Sequence, residues 1–97
     1  MEILKYDYPS AKSPFAGQVH VGVVGSGDLE VLIEPSKDGT AHVVVTTSVN
    51  GYGQIWKNVV DRFFTQFDGA ASIEINDFGA TPGMVALRMR QAVEASK

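Results

Sequence analysis

Ser26 stands between two glycines, Gly25 and Gly27, with Asp28 directly behind them. With no side chain on either neighbour, its hydroxyl is sterically open on both flanks, and the backbone there is free to take positive φ. Such a serine suits modification by another enzyme. It does not suit catalysis: a nucleophilic serine wants a strand–turn–helix elbow and a histidine base. Here an alternating, strand-like run follows Ser26, and the histidines, His20 and His42, fall inside predicted strands. If Ser26 reacts, it reacts as an acceptor. A plain Gly-Ser-Gly-Asp turn accounts for the same residues, and local spacing by itself favours that simpler reading.

Other segments with chemical potential are weaker. A dinucleotide fingerprint starting at Gly25 would need a third glycine at Glu30 and a helix after it, and it has neither. Gly51-Tyr52-Gly53 fits better, since it follows a predicted strand and opens a predicted helix whose free N–H groups could meet a phosphate. Trp56, however, occupies the place of the third glycine, so a flexible strand-to-helix turn is the expectation. Asp77-Phe78-Gly79 matches a kinase metal-binding triplet by chance, because the chain is too short for a kinase domain. The longer stretch from Asp77 to Gly83 reads as a tight strand-to-helix connection with Phe78 as a core plug; as a loop it is also open to a docking role. His20 and His42 show no ligand-like spacing, so a packed or surface role is expected and no metal site is.

Composition sets the frame for these residues. The 97 residues are 44% hydrophobic and 20% charged, as in an ordinary globular domain, and are read as a single domain over 1–97. A net charge of −3 without a Lys/Arg cluster argues against nucleic acid. No apolar run is long enough for a membrane helix, and the charged first residues do not resemble a signal peptide. With no cysteine there is no disulfide and no thiolate chemistry; a cytoplasmic address is expected.

The elements that must position Ser26 follow from periodicity. Residues 2–8 alternate, with Tyr6 and Tyr8 on one face. Residues 17–24 put Val19, Val21 and Val23 on one face, and 29–34 do the same with Leu29, Val31 and Ile33. Joined by the Gly-rich turn, the last two predict a hairpin with Ser26 at its tip. The Pro35–Thr40 break, with its Asp-Gly signal, leads into a strand over 41–47. Ile55, Trp56, Val59, Val60, Phe63, Phe64 and Phe67 then recur at helical spacing, as expected of a helix of about 15 residues and roughly 22 Å. Lys57, Asn58, Asp61, Arg62 and Gln66 take its polar side. A further strand is predicted over 71–77. Thr81-Pro82 supplies an N-cap and a first helical residue for a helix burying Val85, Met89, Ala92 and Val93. Consecutive hairpins predict an α+β two-layer sandwich, a mainly antiparallel sheet of about five strands with both helices on one face. Beside the tip, Asp28 and Glu30 are candidates for partner docking, although charges next to a turn are commonly just solvated.

Three segments carry a resemblance that local physics does not: 23–31 (Val-Val-Gly-Ser-Gly-Asp-Leu-Glu-Val), 45–51 (Val-Thr-Thr-Ser-Val-Asn-Gly) and 77–83 (Asp-Phe-Gly-Ala-Thr-Pro-Gly). Together they make the whole chain resemble the acyl-carrier (delta) subunit family of malonate decarboxylase, the start and Ser10–Phe15 contributing little. The resemblance implies that Ser26, in its Gly25–Gly27 setting, bears 2′-(5″-phosphoribosyl)-3′-dephospho-CoA through a phosphodiester installed by a dedicated prosthetic-group transferase. It implies that the arm's thiol carries an acetyl group, which an acetyl/malonyl transferase subunit exchanges for malonyl with release of acetate. Decarboxylase subunits then remove CO₂ and regenerate the acetyl thioester. The carrier itself would be non-catalytic. Lack of cysteine agrees, since any thioester must then hang from a cofactor thiol. Ordinary acyl carrier proteins are helical bundles with Asp-Ser-Leu at a helix start, whereas strands surround Ser26, so a different fold and modifying enzyme are expected. Two alternatives stand beside this reading: the acyl carrier (gamma) subunit of citrate lyase, with the same type of group, and a non-covalent binding or scaffold module in which Ser26 is only a turn residue.

Overall fold

Period-2 alternation decides which side of each strand is covered. Leu29, Val31 and Ile33 on one strand, Ala41, Val43 and Val45 on another, and Ala71, Ile73 and Ile75 on a third are all buried on one face. In the computed structural model the described residues are 2–9, 13–15, 17–22, 28–48 and 50–95. Among them the chain runs β1 (Glu2–Tyr8), β2 (Ser13–Pro14), β3 (Val19–Gly22), β4 (Leu29–Pro35), β5 (Ala41–Thr47), α1 (Gly53–Phe64), β6 (Gly69–Asp77) and α2 (Pro82–Ala95). The sheet order is β1-β5-β6-β4-β3, with β2 pairing the start of β6.

The two-layer α+β architecture, with about five main strands and two helices, is as expected. The connectivity is not. Strands β4 and β5 are not hairpin partners, because β6 lies between them, antiparallel to β4 and parallel to β5. A parallel pair needs a long crossover, and α1 supplies it. The Asp-Gly turn does form, around an Asp38 carboxylate that accepts the Ser36 hydroxyl (2.7 Å) and the Thr40 N–H (3.0 Å). It serves as a crossing connection, and Ser36 N–H donates to Ala70 of β6 (3.0 Å). The short β2, which the periodicity did not predict, is a further difference.

Helix α1 is 12 residues long, shorter than expected. Its buried seam is Trp56 and Val60, with Val59, Phe63 and Phe64 packed against the core from partly buried positions, and Phe67 does the same just beyond its end. Ile55, predicted to lie on the stripe, is 43% exposed. Helix α2 buries Val85, Met89 and Ala92, and Val93 packs beside them. It lies over β4 and β3 and against α1, so both helices share the covered face. At the far end of the molecule Tyr8 stacks on Phe64 with ring centroids 4.1 Å apart, and its hydroxyl donates to Asp61. Phe78 is half-buried and lies outside the core cluster, so the expected plug is not one.

Candidate functional site

Register brings the end of the sheet into one line. Glu2 of β1 pairs with Thr47 of β5, Thr47 with Asp77 of β6, and Asp77 with Leu29 of β4. Both helices start just beyond this line, because α1 follows β5 and α2 follows β6. Ligand sites in α/β proteins favour the carboxyl ends of parallel strands for the same reason: the loops and helix starts gather there.

Gly25, Ser26 and Gly27 lie outside the described residues, so the structure positions the two stems that lead to them and not the serine itself. The β3–β4 pairing is antiparallel, as the sequence predicts, and Gly22 opposes Glu30. Gly22 holds φ at 101°, and a Cβ there would sit 2.1 Å from the Leu29 carbonyl oxygen. No other residue fits that approach without moving the stem. The predicted strand over 17–24 is thus described only as 19–22, and Val23 falls outside the described residues.

The second stem begins at Asp28 and is held on three sides. Leu29 N–H donates to its Oδ1 (2.7 Å), Arg88 donates from Nε to Oδ1 (3.2 Å) and from Nη2 to Oδ2 (2.7 Å), and its carbonyl accepts Phe78 N–H (2.9 Å). The fork from Arg88 matches a carboxylate two bonds at a time. Arg88, and then the Leu29 amide, hold the Asp28 carboxyl below the usual carboxylate range; Asp28 in turn raises the guanidinium. Glu30 is held too, accepting from Asn76 Nδ2 (2.7 Å) and pairing with His20 Nε2 (2.9 Å). His20 first and Asn76 second lower its pKa. Neither acid is simply solvated, contrary to the expectation for charges beside a turn.

The 77–83 segment is the tight connection expected. Asp77, only 4% exposed, accepts from Gly79 N–H (3.2 Å), Ala80 N–H (2.9 Å) and the Thr47 hydroxyl (2.8 Å). A carboxylate so buried needs those donors. Thr81 caps α2 as predicted, its Oγ1 accepting Met84 N–H (3.2 Å). Gly51 does stand between β5 and α1, and Gly53 opens α1, but Gly51 N–H already donates to Glu2 (3.3 Å).

Between the starts of the two helices lies a cavity of about 290 Å³. Tyr52, Ile55, Trp56 and Val59 line one side, Ala80, Pro82 and Val85 the other, and Asp77 and Gly79 complete it. Sequence reasoning singled out the Gly51–Gly53 and Asp77–Gly83 segments separately; the fold brings both to this cavity. It missed Arg88, which lies 60 residues from Asp28 and leaves no local signature.

Away from this end, His42 sits between two acids, Nδ1 being 2.6 Å from Asp7 and Nε2 2.7 Å from Asp38. Among the described residues no cluster of His, Asp and Glu is arranged to hold a metal, and no helix is long and apolar enough to cross a membrane.

Residues 16–96 match the family described as malonate decarboxylase delta subunit (MdcD). The chain is 50% identical over 95 residues to the malonate decarboxylase acyl carrier proteins of Pseudomonas syringae pv. syringae and Stutzerimonas stutzeri, covering 97% of this chain and 95% of each of theirs. A chain in the crystal structure of a Pseudomonas malonate decarboxylase hetero-tetramer in complex with malonate superposes with a TM-score of 0.92 at 47% identity, over the full length of both. The chain belongs to the malonate decarboxylase acyl carrier (delta subunit) family.

Proposed function

We propose that this chain carries the acyl group of a malonate decarboxylase on 2′-(5″-phosphoribosyl)-3′-dephospho-CoA joined to Ser26, and adds no catalytic side chain of its own. The observation that carries the reading is the convergence, at one end of the sheet, of both stems of the Ser26 loop with the 77–83 connection. Asp28, two residues after Ser26, is bonded to Phe78 through its backbone and to Arg88 through its side chain. A fixed base two residues from the serine is what a modifying transferase needs. The surroundings suit such a group: Arg88 neutralises the Asp28 carboxylate two residues after Ser26, and the cavity offers apolar surface to an uncharged acyl end.

Attachment converts the Ser26 hydroxyl to a phosphodiester. The Oγ–P bond forms as a bond of an activated phosphoanhydride donor breaks; the hydroxyl proton passes to a base of the transferase, and a phosphate group leaves. The bound group supplies the thiol that this cysteine-free chain lacks. Its thioester would exchange acetyl for malonyl with release of acetate and would ease loss of CO₂ from the malonyl group, that chemistry lying with the partner subunits. The residues of this chain hold the serine and keep the arm close to successive active sites, which raises effective concentration. The partners are an acetyl/malonyl transferase subunit, decarboxylase subunits and the prosthetic-group transferase. A cytoplasmic setting belongs to the same reading.

The reading is tested by replacing Ser26 with Ala in the complete complex. The Ser26→Ala chain should fold and assemble yet support no malonate decarboxylation; full activity in that complex would overturn the reading.

A further inference from the structure

We propose that the cavity between the starts of α1 and α2 is the resting site of the uncharged acetyl thioester end of the arm. The inference rests on the attachment at Ser26 and adds where the acyl end goes between transfers. Three features lead to it. The cavity opens at the end of the sheet where the stem after Ser26 begins: Asp28 O accepts Phe78 N–H, and the next two residues, Gly79 and Ala80, line the cavity. Its volume of about 290 Å³ is at the small end of ligand pockets, suited to the tip of an arm and not to a whole nucleotide. Tyr52 and Ile55 at its mouth are 47% and 43% exposed, among the few large apolar side chains left open among the described residues.

The lining also selects by charge. Trp56, Val59 and Val85 offer apolar contact, and Asp77, already holding three donors, is the cavity's acid. A malonyl carboxylate entering there would lose water beside another carboxylate. An acetyl thioester carries no charge and meets no such opposition. The cavity therefore shelters the acetyl state from hydrolysis and leaves the malonyl state outside, free for the decarboxylase.

Trp56 lines the cavity and is the single tryptophan of the chain, so its indole N–H gives one assignable NMR signal. The experiment compares ¹H–¹⁵N spectra of the full chain in apo, acetyl-loaded and malonyl-loaded forms, with intact mass confirming each state. Acetyl loading should shift the Trp56 indole and the Gly79 and Ala80 amides, malonyl loading should shift them less, and Ile55→Glu should abolish the shift while leaving the apo spectrum native. Loaded chain, verified by mass, whose Trp56 signal stays at the apo position would overturn the cavity assignment and leave attachment at Ser26 intact. Equal shifts for the two acyl groups would overturn the charge selection. Shifts arising only when partner subunits are added would assign the cavity to protein docking instead. Absence of the added mass on chain from the native host would remove the attachment itself, and the resting site with it.

Discussion

Arg88 grips Asp28 with two bonds, Nη2 to Oδ2 at 2.7 Å and Nε to Oδ1 at 3.2 Å. The pair joins α2 to the chain two residues from Ser26, and Phe78 N–H holds the same residue through its backbone. Together they brace the stem that follows Ser26. Positioning, more than global stability, is what they contribute, since both side chains are partly open to solvent.

Arg88→Ala should therefore loosen the stem without unfolding the protein. Amide hydrogen exchange at Leu29 and Phe78 should speed up while the core strands stay protected, and attachment of the prosthetic group should slow in a mass-resolved time course. Unchanged exchange at both amides would show that the pair holds nothing in place.

The loop's other stem depends on Gly22. With φ at 101° and the Leu29 carbonyl where a Cβ would go, Gly22→Ala must displace the hairpin base. Destabilisation of about 1–3 kcal/mol is expected from overpacking alone, read by urea denaturation, together with poorer modification of Ser26.

Asp77→Ala removes the shared acceptor of Gly79 N–H, Ala80 N–H and the Thr47 hydroxyl. Losing that acceptor should cost about 1–3 kcal/mol. The start of α2 should fray, visible as lost exchange protection at Met84 and Val85. By contrast Ile73→Ala, in the middle of β6, should cost about 2–5 kcal/mol, and Ile55→Ala, at an exposed position, about 0.5 kcal/mol or less.

His42 gives the fold a pH dependence near neutrality. Both ring nitrogens face carboxylates, which only the protonated ring satisfies by donating twice. Asp7 first and Asp38 second raise its pKa above the ordinary 6.5. A raised folded-state pKa means the stabilisation is complete below 6.5 and is lost as pH rises through the folded value. The lowered carboxylates Asp28, Glu30, Asp38 and Asp61 act in the opposite sense, their contribution being lost as pH falls below the usual carboxylate range. Urea midpoints measured across pH should fall on both sides, and His42→Asn should flatten the alkaline side most, with a smaller change on the acid side because His42 also helps lower Asp38.

Local features were the ones that could be read in the sequence. The alternation of β4 and β6, the seam of α2 and the Thr81 cap each depend on residues a few positions apart. The insertion of β6 between β4 and β5 depends on pairing 29–35 with 71–77, and no short-range signal encodes that register. The Asp-Gly turn looked like a hairpin because the same Asp38-centred bonds can close either kind of connection. A helix lying between the 41–47 and 71–77 strands was the available clue to a parallel pair. At the site, the flanking glycines singled out Ser26, which lies outside the described residues, whereas the Arg88 brace and the cavity arise only when distant segments meet. Ile55 was misplaced because the apolar stripe of α1 is wider than the surface it covers.

The central claim, that Ser26 is the anchor of the acyl-carrying arm, is tested most directly by peptide mass mapping of the chain isolated from its native host. The peptide spanning Gly25–Gly27 should carry the mass of phosphoribosyl-dephospho-CoA, localised to Ser26 by fragmentation. An unmodified Ser26 peptide from a complex that fully decarboxylates malonate would contradict it.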